Sequence, residues 1–176
     1  QIQSAFALRA PLEDSGAQTI SFSVDVSANE LTIEKLVTER GDYSIINLPG
    51  FELAGNPGEP WLPAVTKNIG IPFDAEYQLT VQGYNPKTVD LGAPVLPKAS
   101  QVFLEEDYLF SSPESSPAFE LEYIEDEILY RTDAFLPGTL GEIGNDGIMR
   151  SQRILSILLY PVQYNPVSQK LIVYEK

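Results

Sequence analysis

Apolar and polar residues alternate along this chain in short stretches, separated by prolines and glycines. Nowhere do apolar residues recur at helical spacing over three or more turns. Ile20, Phe22, Val24 and Val26 alternate with Ser21, Ser23 and Asp25. Tyr77, Leu79 and Val81, then Phe119, Leu121 and Tyr123, then Leu171 to Tyr174 repeat the pattern. Each stretch reads as a strand with one buried face. Asn29 to Val37 reads as a strand, Glu39-Arg40-Gly41-Asp42 as a turn, and Tyr43 to Leu48 as the returning strand. Ile128 to Phe135 continues in β character. Asn145-Asp146-Gly147 signals a turn, Met149 to Tyr160 a long strand, and Asn165 to Gln169 a hairpin. The pattern predicts an all-β fold, an antiparallel β-sandwich of jelly-roll-like form with little or no helix. One domain is expected over 1–176, with 1–17 loosely structured and a long proline-containing loop over 91–117.

Two proline-punctuated stretches interrupt the alternation. The first is Gly55-Asn56-Pro57-Gly58-Glu59-Pro60-Trp61-Leu62-Pro63, followed by Ile71-Pro72. The second is Tyr160-Pro161-Val162-Gln163-Tyr164-Asn165-Pro166-Val167. Each proline fixes φ near −65° and lacks a donor N–H, so both stretches are expected to be rigid extended or turning segments, not helix interior or central strand. On these physical grounds the first is a stiff connector between strands, with Trp61 and Leu62 as its apolar anchors.

The composition removes several kinds of chemistry. There is no cysteine and no histidine, which excludes disulfides, thiolate–zinc sites and a Cys-His or Ser-His nucleophilic pair. With 25 acidic and 11 basic residues the net charge is −14, which disfavours nucleic acid as a partner. No apolar run reaches the roughly 18–20 residues of a membrane span, so no membrane partner is expected. The N-terminus, Gln1-Ile2-Gln3, has no signal-peptide character, as in a mature secreted product or a trimmed one. Ending on Lys176 suits release by a lysine-cleaving enzyme as well as a boundary of other origin.

The acidic clusters Glu105-Glu106-Asp107 and Glu120, Glu122, Glu125-Asp126-Glu127 lack the spacing of a calcium loop and read as solvated faces. No metal and no cofactor is expected. Arg150 and Arg153 fall on opposite faces of a strand, and one of them is expected to pair with a carboxylate.

In their order and spacing, the two stretches resemble the N-terminal propeptide of gingipain-type cysteine peptidases, peptidase family C25. The residues that carry the likeness are Gly55, Pro57, Gly58, Pro60, Leu62, Pro63 and Pro72 in the first motif. In the second they are Pro161, Tyr164, Asn165 and Pro166, preceded by Arg150-Ser151-Gln152-Arg153. The likeness runs from about Leu31 to Tyr174. It implies a β-sandwich that occludes the active site of an attached peptidase, keeps that zymogen latent and assists its folding. It implies a chain that is not an enzyme, with a gingipain-like catalytic domain as partner, in cis or as a non-covalent complex after cleavage. It implies a secreted, cell-surface or periplasmic location in a bacterium.

The resemblance also implies a basic side chain on a loop, aimed at the peptidase's specificity pocket. Lys98, within Pro94-Val95-Leu96-Pro97-Lys98, is one candidate because the flanking prolines hold it extended. Arg131, beside Thr132-Asp133, is the other. A reading of a different class is a stand-alone β-sandwich binding module of a larger cell-surface protein.

Overall fold

The structure is a computed structural model and describes residues 4–6, 19–103 and 119–175. Its strands are β1 (Ser4–Phe6), β2 (Ile20–Phe22), β3 (Thr32–Thr38), β4 (Gly41–Asn47), β5 (Glu52–Ala54), β6 (Leu62–Ile71) and β7 (Pro86–Asp90). They continue with β8 (Ser100–Phe103), β9 (Phe119–Glu122), β10 (Gly141–Met149), β11 (Gln152–Leu159), β12 (Val162–Asn165) and β13 (Lys170–Tyr174). A 3₁₀ turn at Ala28–Glu30 and a single helical turn, α1 (Glu127–Tyr130), are the helical elements among the described residues.

The all-β expectation is met. Every ladder between named strands is antiparallel. The largest sheet runs β10-β11-β6-β5, and a three-stranded sheet runs β12-β13-β7. The pairs β1-β2, β3-β4 and β8-β9 form two-stranded ribbons.

Two apolar clusters organise these sheets. Leu155, Ile157 and Leu159 alternate along β11 and bury their side chains with Ile71 of β6. The other cluster joins Ile46, Leu48, Leu62, Val95, Val162, Tyr164, Leu171 and Val173. Burial of each such aliphatic side chain contributes about 1.5–3 kcal/mol. Pro161 sits where the chain leaves the first cluster, at the end of β11, and enters the second along β12.

The structure corrects several local expectations. Tyr77, Leu79 and Val81 form no ladder, yet they pack on the Ile71–Leu159 cluster. Ile20 to Val26 behaves likewise: Ile20–Phe22 pairs with β1, whereas Val24 and Val26 are turned inward without a ladder. Period-two alternation records which side chains face apolar surface, and lying across a sheet satisfies it as well as joining one.

The Ile128–Phe135 segment is not a strand. The Asp126 carboxylate accepts hydrogen bonds from the Ile128 and Leu129 N–H groups (2.9 and 3.0 Å) and so caps α1. Asn145-Asp146-Gly147 is not a turn either, but lies inside β10. The chain reverses at Arg150-Ser151, both in the left-handed region (φ 48° and 67°), where a two-residue hairpin needs positive φ. The expected Met149–Tyr160 strand is therefore split, with β11 starting at Gln152.

Pro63, expected outside central strands, lies within β6. It is tolerated there because β11 pairs with β6 only from Val65 onward, so Pro63 has a ladder neighbour on one side, Leu53 of β5. Within the expected 91–117 loop, Ser100–Phe103 is a strand paired with Phe119–Glu122. Residues 104–118, including Glu105-Glu106-Asp107, lie outside the described residues, as do 7–18 and Lys176.

Candidate interaction site

The first proline motif builds a turn that receives other parts of the chain. Asn56-Pro57-Gly58-Glu59 is a type II turn: Glu59 N–H donates to the Asn56 carbonyl at 3.0 Å, and Gly58 has φ +88°. Proline at the second position and glycine at the third are what this turn requires. The Glu59 carboxylate braces it by accepting from the Asn56 N–H at 2.8 Å and from the Asn56 side-chain amide at 3.2 Å.

The strip ending at Lys98 runs along this turn. Trp61 N–H donates to the Leu96 carbonyl (2.9 Å), Lys98 N–H to the Glu59 carbonyl (2.8 Å), and Gly58 N–H to the Lys98 carbonyl (2.9 Å). The Lys98 ammonium donates to the Gly55 carbonyl at 2.7 Å. Lys98 is half-buried, so its charge is held within the fold. On the other flank of the turn, Asp126 N–H donates to the Gly58 carbonyl at 3.0 Å.

Between Lys98 and Asp126 stands the β8-β9 ribbon, with Ser100 opposite Glu122 and Phe103 opposite Phe119. Val102, Leu121, Ile124 and Ile128 are exposed along and beyond it, Ile128 by 79%. Glu120, Glu122, Glu125 and Glu127 are interleaved with them. Among the described residues, no three acidic side chains converge to hold a metal ion.

Arg131 follows α1 and is open to solvent. Its guanidinium lies 3.4 Å from the Glu127 carboxylate, with both side chains 78% exposed. Two residues on, Asp133 accepts from the Asn165 side-chain amide at 2.9 Å. The second proline motif thus secures the far end of the segment that the first motif holds at Lys98. The same motif exchanges two backbone hydrogen bonds between Tyr164 and Leu136 (2.7 and 2.8 Å). Asn165 Oδ1 accepts from Val167 N–H and Ser168 N–H and shapes the turn into β13.

The buried tyrosines show the electrostatic character of this region. Tyr130 donates its hydroxyl to the Val95 carbonyl at 2.7 Å, and burial followed by the Glu125 charge raises its pKa strongly. Burial pushes Tyr164 up to about 12. The Tyr164 hydroxyl lies near the Val95 backbone but has no hydrogen-bond partner among the described residues. A cleft of about 230 Å³ separates the first motif from α1, lined among others by Gly55, Pro60, Leu129, Pro137 and Tyr160.

Arg153, one of the two arginines singled out in the sequence, is the one that pairs. It binds Asp146 through Nε (2.9 Å) and Nη2 (2.6 Å), and its Nη1 donates to the Phe73 and Ala75 carbonyls. Arg150 lies exposed in the hairpin turn.

A family model for the C25 propeptides (Propeptide_C25) matches residues 8–176. The chain belongs to the C25 propeptide family. As a propeptide, it is non-catalytic. It is 26% identical to the Lys-gingipain of Porphyromonas gingivalis over 154 residues, 85% of this propeptide and 8% of that protein. The Lys-gingipain of strain W83 matches with the same figures. The propeptide thus spans less than a tenth of these curated relatives. Among solved structures it is similar to gingipain K from P. gingivalis, studied for its zymogenic latency, at 25% identity and a TM-score of 0.60. That match covers 82% of this propeptide and 76% of the other chain. The fold is shared with a chain in a complex of the pro- and mature domains of RgpB from P. gingivalis, at 19% identity and a TM-score of 0.57. That match covers 95% and 80% of the two chains. No helix among the described residues of the propeptide is long and apolar enough to cross a membrane.

The sequence singled out the two proline motifs and named Lys98 and Arg131 as basic candidates. It missed the α1 turn and the engagement of Lys98 by Gly55. The Asp126 cap was the available signal for α1. The Lys98–Gly55 contact joins residues 43 positions apart and has no local signature.

Proposed function

We propose that this domain keeps a gingipain-like cysteine peptidase latent by covering its active site, and that it assists the folding of that peptidase. The observation that carries this reading is the family match over 8–176, together with the likeness to a gingipain K structure studied for latency. The partner is the cognate catalytic domain, joined in cis in the zymogen or held non-covalently after cleavage. The pair acts outside the cytoplasm, in a secreted, cell-surface or periplasmic setting.

Contact with the catalytic domain is made by the β8-β9 ribbon and the segment that leads to Arg131. The exposed Val102, Leu121, Ile124 and Ile128 support this, because the segment leaves large apolar side chains open to solvent on both faces of the ribbon and beyond it. Of the two basic candidates, Arg131 is the one free to reach a specificity pocket. Its exposed ion pair with Glu127 is weak and easily exchanged, whereas Lys98 is engaged by Gly55.

The test is to purify the domain and titrate it against its own mature peptidase. Stoichiometric loss of activity is the expected result. Full activity in the presence of micromolar domain would reject the proposal.

A further inference from the structure

Gly58 touches both ends of the β8-β9 ribbon. Its N–H donates to the Lys98 carbonyl (2.9 Å), two residues before β8, and its carbonyl accepts from the Asp126 N–H (3.0 Å), four residues after β9. We infer that Gly58 is a positioning residue for inhibition: one peptide turn of the first proline motif fixes both feet of the ribbon and thereby its direction of approach to the catalytic domain. This rests on the reading that the ribbon makes the inhibitory contact.

Three observations make the arrangement specific to glycine. The type II turn puts position 58 at φ +88°, a conformation that strains an L side chain. A Cβ there would meet the Asp126 N and Ile124 O atoms, both at 3.3 Å, and these are backbone atoms of the ribbon's outgoing foot. Residue 58 is also buried, so the two hydrogen bonds are shielded from water. The ribbon has no other ladder partner, since β8 and β9 pair only with each other among the described strands. A lone two-stranded ribbon has little stability of its own, so its orientation depends on how its feet are held.

The experiment compares the unmodified domain with Gly58→Ala by amide hydrogen exchange and by titration against the cognate peptidase. In the variant, amides of Ser100–Phe103, Phe119–Glu122 and Asp126 should lose protection together, while Leu171 and Val173 in β13 stay protected. Inhibition should weaken by about tenfold or more, equivalent to roughly 1.4 kcal/mol of binding. Unchanged protection of the ribbon, loss at one foot alone, or a loosened ribbon with full inhibition would each overturn the inference. If Gly58→Ala does not fold, exchange in the unmodified domain decides. The Gly58 and Asp126 amides must then open in one unit with β8 and β9, separate from β13; independent opening overturns the inference. Failure of the unmodified domain to inhibit rejects the latency reading itself, and is seen in the control before any variant is compared.

Discussion

The Lys98 ammonium lies 2.7 Å from the Gly55 carbonyl and joins the strip before β8 to the start of the first proline motif. A hydrogen bond from a charged, half-buried donor contributes about 1.5–3 kcal/mol. Lys98→Ala is therefore expected to lower the unfolding free energy by about 1–2 kcal/mol in urea denaturation, with the loss of inhibition no larger than the loss of stability explains. A large inhibition defect with unchanged stability would return Lys98 to the role of pocket residue.

Arg131 gives the opposite pattern. Its ion pair with Glu127 is exposed on both sides, a class worth about 0.3–0.5 kcal/mol. Arg131→Ala should leave the denaturation midpoint nearly unchanged and weaken inhibition at least about tenfold. Equal potency of variant and parent would direct attention to other residues of the segment.

Arg153 and Asp146 predict an acid limit to stability. Hydrogen bonding from Arg153, assisted by Tyr77, holds the Asp146 carboxyl below its ordinary pKa of 3.8. A depressed folded-state pKa contributes stability above the unfolded pKa, and the contribution is lost as pH falls through the folded value. Thermal melts taken as pH falls from about 5 to below 3.8 should show a steeper acid decline for the parent than for Asp146→Asn. Parallel curves would mean that the pair adds nothing. Because Arg153 also holds the Phe73 and Ala75 carbonyls, Arg153→Met should expose Tyr77 to faster iodination.

Tyr164 is buried, and its hydroxyl has no hydrogen-bond partner among the described residues. A buried unsatisfied group costs about 1–3 kcal/mol, so Tyr164→Phe is expected to retain or raise stability, by up to about 1 kcal/mol. The alkaline side tests the same group. Its folded pKa is raised from 10.0 to about 12 by burial, so its share of stability is present below pH 10 and lost between 10 and 12. Tyr164→Phe should flatten part of that loss. A variant less stable than the parent at neutral pH would show that the hydroxyl is satisfied in solution.

The sequence revealed the fold class and both motifs because these are local properties. Pro57-Gly58 spells out a type II turn, and the alternation in β11 names Leu155, Ile157 and Leu159 as one buried face. What escaped was decided at a distance. Asn145-Asp146-Gly147 carries turn chemistry, but Asp146 pairs with Arg153 across the hairpin, and that register carries the reversal to Arg150-Ser151. Tyr77 to Val81 has the alternation of a strand but lies over a sheet whose ladders it does not join. The two contacts of Gly58 span 40 and 68 positions (98 − 58 and 126 − 58), beyond any local pattern.

Pro161 has a consequence for how the domain comes apart. It lies between Leu159, buried in one apolar cluster, and Val162, buried in the other. The two clusters share one uninterrupted run of chain with only Tyr160 and Pro161 between them. Melting either cluster withdraws a strand end from its neighbour, so heat should unfold the sheets in a single calorimetric transition, with van't Hoff and calorimetric enthalpies equal. The two sheets therefore stand or fall together, whereas the β8-β9 ribbon, which belongs to neither cluster, is left to open by itself.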